Sequence, residues 1–270
     1  MKILILSNKD IASNFALNLL LPKLKGEHQL HLWLSAKVGN NTNLPAPLSQ
    51  LKFFEQNLLN QVLNPLLNSS KAAKFKGFEG FENYLHSPII EENSINSSES
   101  IARIQRLCPD LIVSIRYGGI LKEQCIKIPK QGVINLHSGI LPKYRGVMAT
   151  FWAMLNGDTT IGTTLHTIND GTIDTGEIIK ISTRAVEKEE SYLMNTLELY
   201  RQGTLDILDA ILSYSRNEKI LTTPQPTSDS YFTFPTVSDL VRFEKRGMKL
   251  IDEQAYIDFL CENYLTDKRA

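Results

Sequence analysis

Three short runs of the chain, residues 2–7, 110–115 and 132–137, are mostly apolar, stop abruptly at polar residues, and are each followed by a helical pattern. A strand that is apolar on both faces has no side to give to water, so it belongs inside a parallel sheet covered by helices above and below. The chain is therefore expected to be α/β, with a Rossmann-like, mostly parallel sheet covered by helices. Phe15, Leu19, Leu20 and Leu24 mark the helix after the first strand, and residues 30–35 read as the next strand. Ser98 can cap a helix through Leu107, short helices are expected at 119–126 and 149–155, and a long one at 191–213. Between them, 161–168 and 177–182 read as two strands facing each other across the loop 169–176. The stretch 39–98 mixes Asn, Pro and Ser with helix-like pieces at 51–67 and is expected to form irregular connections around one or two helices.

The composition changes near residue 215, from periodic helix to a loop broken by Pro224 and Pro226, so the expected division is a body of 1–215 and a small C-terminal extension of 216–270. With 42% hydrophobic and 21% charged residues the chain lies far from the disordered regime. Lysine plus arginine total 29 and aspartate plus glutamate total 29, a balance that argues against a surface built for nucleic acid but leaves room for a local phosphate site. Cys108, Cys125 and Cys261 form no CxxC pair, so neither a disulfide framework nor a metal site is expected. The first apolar run is too short for a signal peptide, and no stretch approaches the roughly 20 apolar residues of a membrane span. A cytoplasmic protein is the expectation.

The turn after the first strand, Ser7 to Ala12, lacks GxGxxG, which disfavours a dinucleotide. That loop could still offer Asn8, Lys9 and helix N-terminal amides to an anionic group, or Lys9 could be plain solvated surface. The most informative segment is Asn135-Leu136-His137-Ser138-Gly139-Ile140-Leu141-Pro142-Lys143-Tyr144-Arg145-Gly146. On a strand Asn135 and His137 point the same way, at the carboxyl end where open α/β sheets hold ligands. They are either a satisfied structural pair or donors aimed at a substrate oxygen. Asp174, in the glycine-flanked loop 169–176, could be returned to His137 by a hairpin, or could serve as a turn residue bonding its own backbone.

The blocks Asn135-x-His137, Leu141-Pro142-x-Tyr144-Arg145-Gly146, Gly162-Thr-Thr-Leu-His166 and Ile173-Asp174-Thr175-Gly176 resemble the catalytic core of the N10-formyltetrahydrofolate-dependent formyltransferases, best over residues 100–182. The resemblance implies a formyltransferase fold with Asn135, His137 and Asp174 as catalytic triad, N10-formyltetrahydrofolate as co-substrate, and a primary amine as acceptor. Asn135 and His137 would stabilise the oxyanion and Asp174 would take the amine's proton. The stretch Ser114, Ile115, Arg116, Tyr117, Gly118, Gly119, Ile120, Leu121 resembles the family's pterin-binding segment, with Asn169 and Asp170 on the other side. At Ser138-Gly139-Ile140 the chain departs from the family's usual Gly-Ser-Leu or Pro-Ser-Leu. His166 is family-like, as a buttress of the site or as a core residue.

Within the family, the tail and the Leu-Pro-Lys-Tyr-Arg-Gly string resemble the sugar-nucleotide N-formyltransferases of surface polysaccharide and O-antigen biosynthesis. This implies a dTDP- or UDP-linked amino sugar as partner, with Asn8, Lys9, Tyr144, Arg145, Tyr231 and Phe234 as substrate-binding candidates. Tyr231, Phe232 and Phe234 could stack a base or cap the core. A methionyl-tRNA formyltransferase should carry a barrel-like C-terminal domain and a basic surface, and a glycinamide ribonucleotide enzyme leaves the tail unexplained. A folate or nucleotide sensor with a dead site is the non-enzymatic alternative, which the intact triad argues against. A homodimer is left open.

Overall fold

The computed structural model describes residues 1–36, 44–69 and 73–265. The opening run forms β1 (Lys2–Asn8), in which Ile3 and Ile5 face one core while Leu4 and Leu6 face another. All four are fully buried, as a strand covered on both sides requires. Asp10 caps α1 (Ile11–Leu24) by accepting from the Ser13 amide. The sheet continues with β2 (Gln29–Ser35), β3 (Ile90–Glu91), β4 (Leu111–Ile115), β5 (Val133–His137), β6 (Thr160–Thr167) and β7 (Ile178–Ala185).

Among the described residues these strands lie in the order β3-β2-β1-β4-β5-β6-β7. The first five pair in parallel, and β6 and β7 complete the sheet antiparallel. The connections run outward in opposite directions from the β1–β4 junction, the switch point at which open sheets leave a crevice beyond the strands' carboxyl ends. One face is covered by α1 and the long α7 (Tyr192–Ser215), the other by α4 (Ser98–Leu107) and α5 (Glu123–Ile126). α6 (Ala149–Asn156) follows the β5 loop.

Three elements differ from the sequence reading. Residues Ala46–Ser69 form one continuous helical run: α2 (Ala46–Lys52), two π-helical turns at Phe53–Asn57 and Leu59–Leu63, and α3 (Asn64–Ser69). Residues 39–43 and 70–72 of the stretch read as irregular lie outside the described residues. The expected helix at 119–126 shrinks to the single turn of α5, because the Gly118-Gly119 pair before it has no side chains to hold a helical backbone. The tail carries two helices, α8 (Val237–Lys245) and α9 (Glu253–Tyr264). Their Phe243, Tyr256, Phe259 and Tyr264 join the larger core. Phe243 stacks on Phe151 of α6 at 4.6 Å between ring centroids, and the Tyr264 hydroxyl donates to Asn14 Oδ1 of α1 at 2.7 Å.

Candidate active site

A cavity of about 600 Å³ lies beyond the carboxyl ends of β1, β4 and β5, a volume in the range of small-molecule sites. Asn135, His137, His166 and Asp174 all line it. Alternation along β5 turns Asn135 and His137 to the same side, and the antiparallel register sets His166 of β6 directly opposite Asn135. The Asn135 amide Nδ2 lies 3.1 Å from His166 Nε2. Asp174 then arrives on the β6–β7 loop, with a left-handed backbone at φ 55° that turns its carboxylate back over the strand ends.

The carboxylate stands between two imidazoles. Oδ2 lies 3.5 Å from His137 Nδ1, and Oδ1 lies 3.5 Å from His166 Nε2. The Gly146 amide donates to Oδ2 at 2.9 Å. Burial works against ionising Asp174, but the His137 charge, the His166 hydrogen bond and charge, and the Gly146 amide outweigh it and hold the carboxyl well below the usual range. That direction makes Asp174 a good counter-ion for a protonated imidazole.

The ring nitrogens away from the carboxylate are also committed. His137 Nε2 donates to the Tyr144 carbonyl at 2.6 Å, and His166 Nδ1 to the Thr167 carbonyl at 2.8 Å. A carbonyl oxygen only accepts, so these contacts assign the proton on each ring. His137 therefore has no spare N–H for an oxyanion, and the donor of the set left to meet one is the Asn135 amide. The strand pairing could have revealed His166 from the sequence.

The Asp174 loop is held from several sides. Arg145 donates through Nε and Nη2 to the Ile173 carbonyl, at 3.0 and 2.9 Å, and through Nη1 to the Ser228 carbonyl of the tail at 3.0 Å. Gln225 Nε2 donates to the carbonyls of Gly176 and Asp174 at 2.6 and 3.1 Å. Residue 146 must be glycine, since its φ is 98° and a Cβ there would run into the Phe232 carbonyl.

Of the expected pterin segment, Ser114, Arg116, Tyr117, Gly118, Gly119, Ile120 and Leu121 line the cavity, with Asp170 from the facing loop. Ile115 does not, because alternation turns it fully into the core, and Asn169 lies outside the cavity wall. Of the substrate-binding candidates, Tyr231 and Phe234 line the cavity and the other four are corrected. Asn8 is fully buried, donating to Asp10 Oδ2 at 3.0 Å and accepting from the Lys9 amide at 2.9 Å. Lys9 is engaged by Glu91 at 2.5 Å. Tyr144 is buried with its hydroxyl donating to Asp158 Oδ2 at 2.9 Å, and the Arg145 guanidinium donates to carbonyls of the loop and tail.

Sequence reasoning missed the cavity wall formed by Leu48, Leu51, Lys52, Glu55 and Gln56, whose spacing is that of one helix face. Glu55 Oε1 lies 3.4 Å from Arg116 Nη2, while Arg116 Nε donates to Asp10 Oδ2 at 2.9 Å. Burial pushes the Glu55 carboxyl up to about 7, with Arg116 opposing and Asp10 adding to the rise. Among the described residues no group of three or more His, Cys, Asp or Glu is arranged to hold a metal ion, and no helix is long and apolar enough to cross a membrane.

Both the sequence and the fold have counterparts among known proteins. The formyl transferase family matches residues 60–199, more than half of the chain, and the chain belongs to that family. A methionyl-tRNA formyltransferase of Geobacter sulfurreducens is 39% identical over 92 residues, which cover 34% of this chain and 29% of that enzyme. Other curated relatives are also matched over half of their length or less. The fold is similar to that of WlaRD, a sugar 3N-formyltransferase studied with dTDP and 5-N-formyl-THF, at a TM-score of 0.59 and 18% identity, covering 94% of this chain and 81% of the other. It is also similar to an N-formyltransferase from Helicobacter canadensis in complex with folinic acid and dTDP-3-aminofucose, at a TM-score of 0.56 and 18% identity, covering 94% and 82%.

Proposed function

We propose that this chain transfers the formyl group of N10-formyltetrahydrofolate to the primary amine of a nucleotide-linked amino sugar. The observation that carries the reading is one cavity in which Asn135, His137, His166 and Asp174 lie between two different walls. One wall, with Tyr117, Leu121 and Ile168, belongs to the core on the α4–α5 side and suits a flat pterin. The other, with Leu48, Leu51, Tyr192 and Phe234, belongs to the opposite core and suits the acceptor. Tyr231 joins Phe234 from the tail, giving two rings on which a nucleobase can stack.

The chemistry follows from the geometry. The amine nitrogen attacks the formyl carbon and the carbonyl oxygen becomes an oxyanion, which the Asn135 amide meets. Such a donor is worth about 100- to 1,000-fold in rate. His137, oriented by the Tyr144 carbonyl, turns Nδ1 to Asp174, and this pair takes the proton shed as the new C–N bond forms. It returns that proton to N10 as the old bond breaks, leaving tetrahydrofolate and the N-formylated acceptor.

The dTDP and dTDP-3-aminofucose complexes of the structural neighbours support the sugar-nucleotide reading. The methionyl-tRNA formyltransferase among the sequence relatives favours a second reading, an aminoacyl-tRNA acceptor, against which the balance of 29 basic and 29 acidic residues weighs. The test is to incubate the protein with N10-formyltetrahydrofolate and, separately, amino-sugar nucleotides, glycinamide ribonucleotide and initiator methionyl-tRNA, following release of tetrahydrofolate. Turnover on an amino-sugar nucleotide is expected, and turnover on the tRNA alone would overturn the assignment.

A further inference from the structure

We infer that Glu55 is the carboxylate that receives the acceptor's amine as it enters the cavity as an ammonium ion, and takes its first proton. The inference rests on the formyltransferase reading above and names a residue outside the histidine–carboxylate set. Glu55 stands on the face of the Ala46–Ser69 helical run that lines the cavity, on the acceptor wall, with its side chain 15% exposed.

Its charge is balanced only in part by its nearest neighbours. Asp10 takes Arg116 at 2.9 Å and also accepts from the Ser13 amide at 2.8 Å and from Asn8 at 3.0 Å. Glu55 reaches the same guanidinium only at 3.4 Å. When both are ionised, two carboxylates sharing one guanidinium leave a surplus negative charge beside it, which is costly when buried unless a cation joins it. An arriving ammonium supplies that cation. Other ionisable groups near this site are Tyr192 and Tyr200 of α7 and Tyr256 and Tyr264 of α9. Lys52, on Glu55's own run, also lines the cavity.

The position also suits the reaction. Arg116 follows Ile115, which pairs with Leu136 beside His137, so the strand ends carrying the guanidinium and the catalytic imidazole are neighbours about 4.8 Å apart in the sheet. An ammonium has no lone pair and cannot attack. Glu55 takes one proton, leaving a neutral amine and a carboxylic acid that gives its proton to solvent. The second proton, shed after attack, goes to His137 and Asp174. A carboxyl raised to about 7 by burial is matched to the first of these transfers near neutral pH.

The test uses Glu55→Gln and Glu55→Asp in the full chain, with dTDP-3-aminofucose as acceptor and N10-formyltetrahydrofolate as donor, and with thermal unfolding as the check on fold. Glu55→Gln is expected to raise the acceptor KM at least tenfold, to leave the KM for the formyl donor within twofold, and to abolish the acid-side limb of kcat/KM near pH 7. Glu55→Asp should retain that limb with an intermediate KM, which a purely structural role would not produce. Wild-type KM and pH profile in Glu55→Gln would overturn the inference while leaving the functional reading intact. If another amine of the panel is the one turned over, the same comparison is made with it. Absence of transfer by the wild type to any amine would overturn the functional reading and this inference with it.

Discussion

Asp174 and Glu55 line one cavity with their proton affinities displaced in opposite directions. Asp174 is depressed, so its stabilising contribution is present above the ordinary carboxylate range and is lost as pH falls below about 4. The stability of the wild type over Asp174→Asn, measured by denaturant titration, is therefore expected to be largest near neutrality and to shrink on acidification. The same variant, and His137→Ala, should lose at least about 100-fold in kcat with the fold retained, and near-full activity in either would remove that residue from the mechanism. Glu55 is raised, so folding favours its protonated form. As pH rises from about 4.5 to 7 the wild type should lose on the order of 3 kcal/mol relative to Glu55→Gln, and the difference should level off above that. At this scale the sequence was legible where alternation decides direction, as for Asn135 and His137. It was illegible where a polar side chain could serve either a ligand or its own chain. Asn8, Tyr144 and Arg145 all found partners within the protein, and only tertiary contacts reveal that choice.

The elements that assemble the site are β5, β6 and the loop after β6. Their register follows from the apolar positions, and the antiparallel pair beyond a parallel body was readable from the loop between two strand-like runs. The helical run Ala46–Ser69 was readable only in part, as helix-like pieces at 51–67, because its asparagines and Pro65 resemble loop composition and its π turns break the 3.6-residue period. The spacing from Leu48 to Gln56 was nevertheless present in the sequence. The β6–β7 turn makes a sharp prediction. A Cβ at Gly176 would collide with the Thr167 carbonyl, so Gly176→Ala should destabilise the protein by about 3 kcal/mol through displaced backbone, read as a lower denaturation midpoint. Gln225→Ala removes two bonds to the Asp174 loop without touching the cavity wall. It should lower kcat about tenfold while shifting Tm by only a few degrees, since an Asp174 displaced by about 1 Å loses its alignment.

At the scale of the molecule, residues 216–270 were read as a small extension, and their Phe243, Tyr256, Phe259 and Tyr264 are built into the main core. A chain ending at residue 215 would expose the surfaces now covered by Phe243, Tyr256, Phe259 and Tyr264. Loss of large buried aromatics costs about 3–5 kcal/mol each, so the truncated protein is expected to be insoluble or unfolded by circular dichroism. The tail also reaches the site. Phe232 donates to the Arg145 carbonyl at 2.9 Å and accepts from the Val147 amide at 2.8 Å, pairing in parallel with the segment whose Gly146 amide holds Asp174. During synthesis, a ribosome that has already delivered β1 to β7 would therefore still be carrying a chemically silent nascent protein. Competence would come only when the segment around residue 232, and the aromatic residues of α8 and α9 behind it, clear the exit tunnel and clip the reactive loop into position.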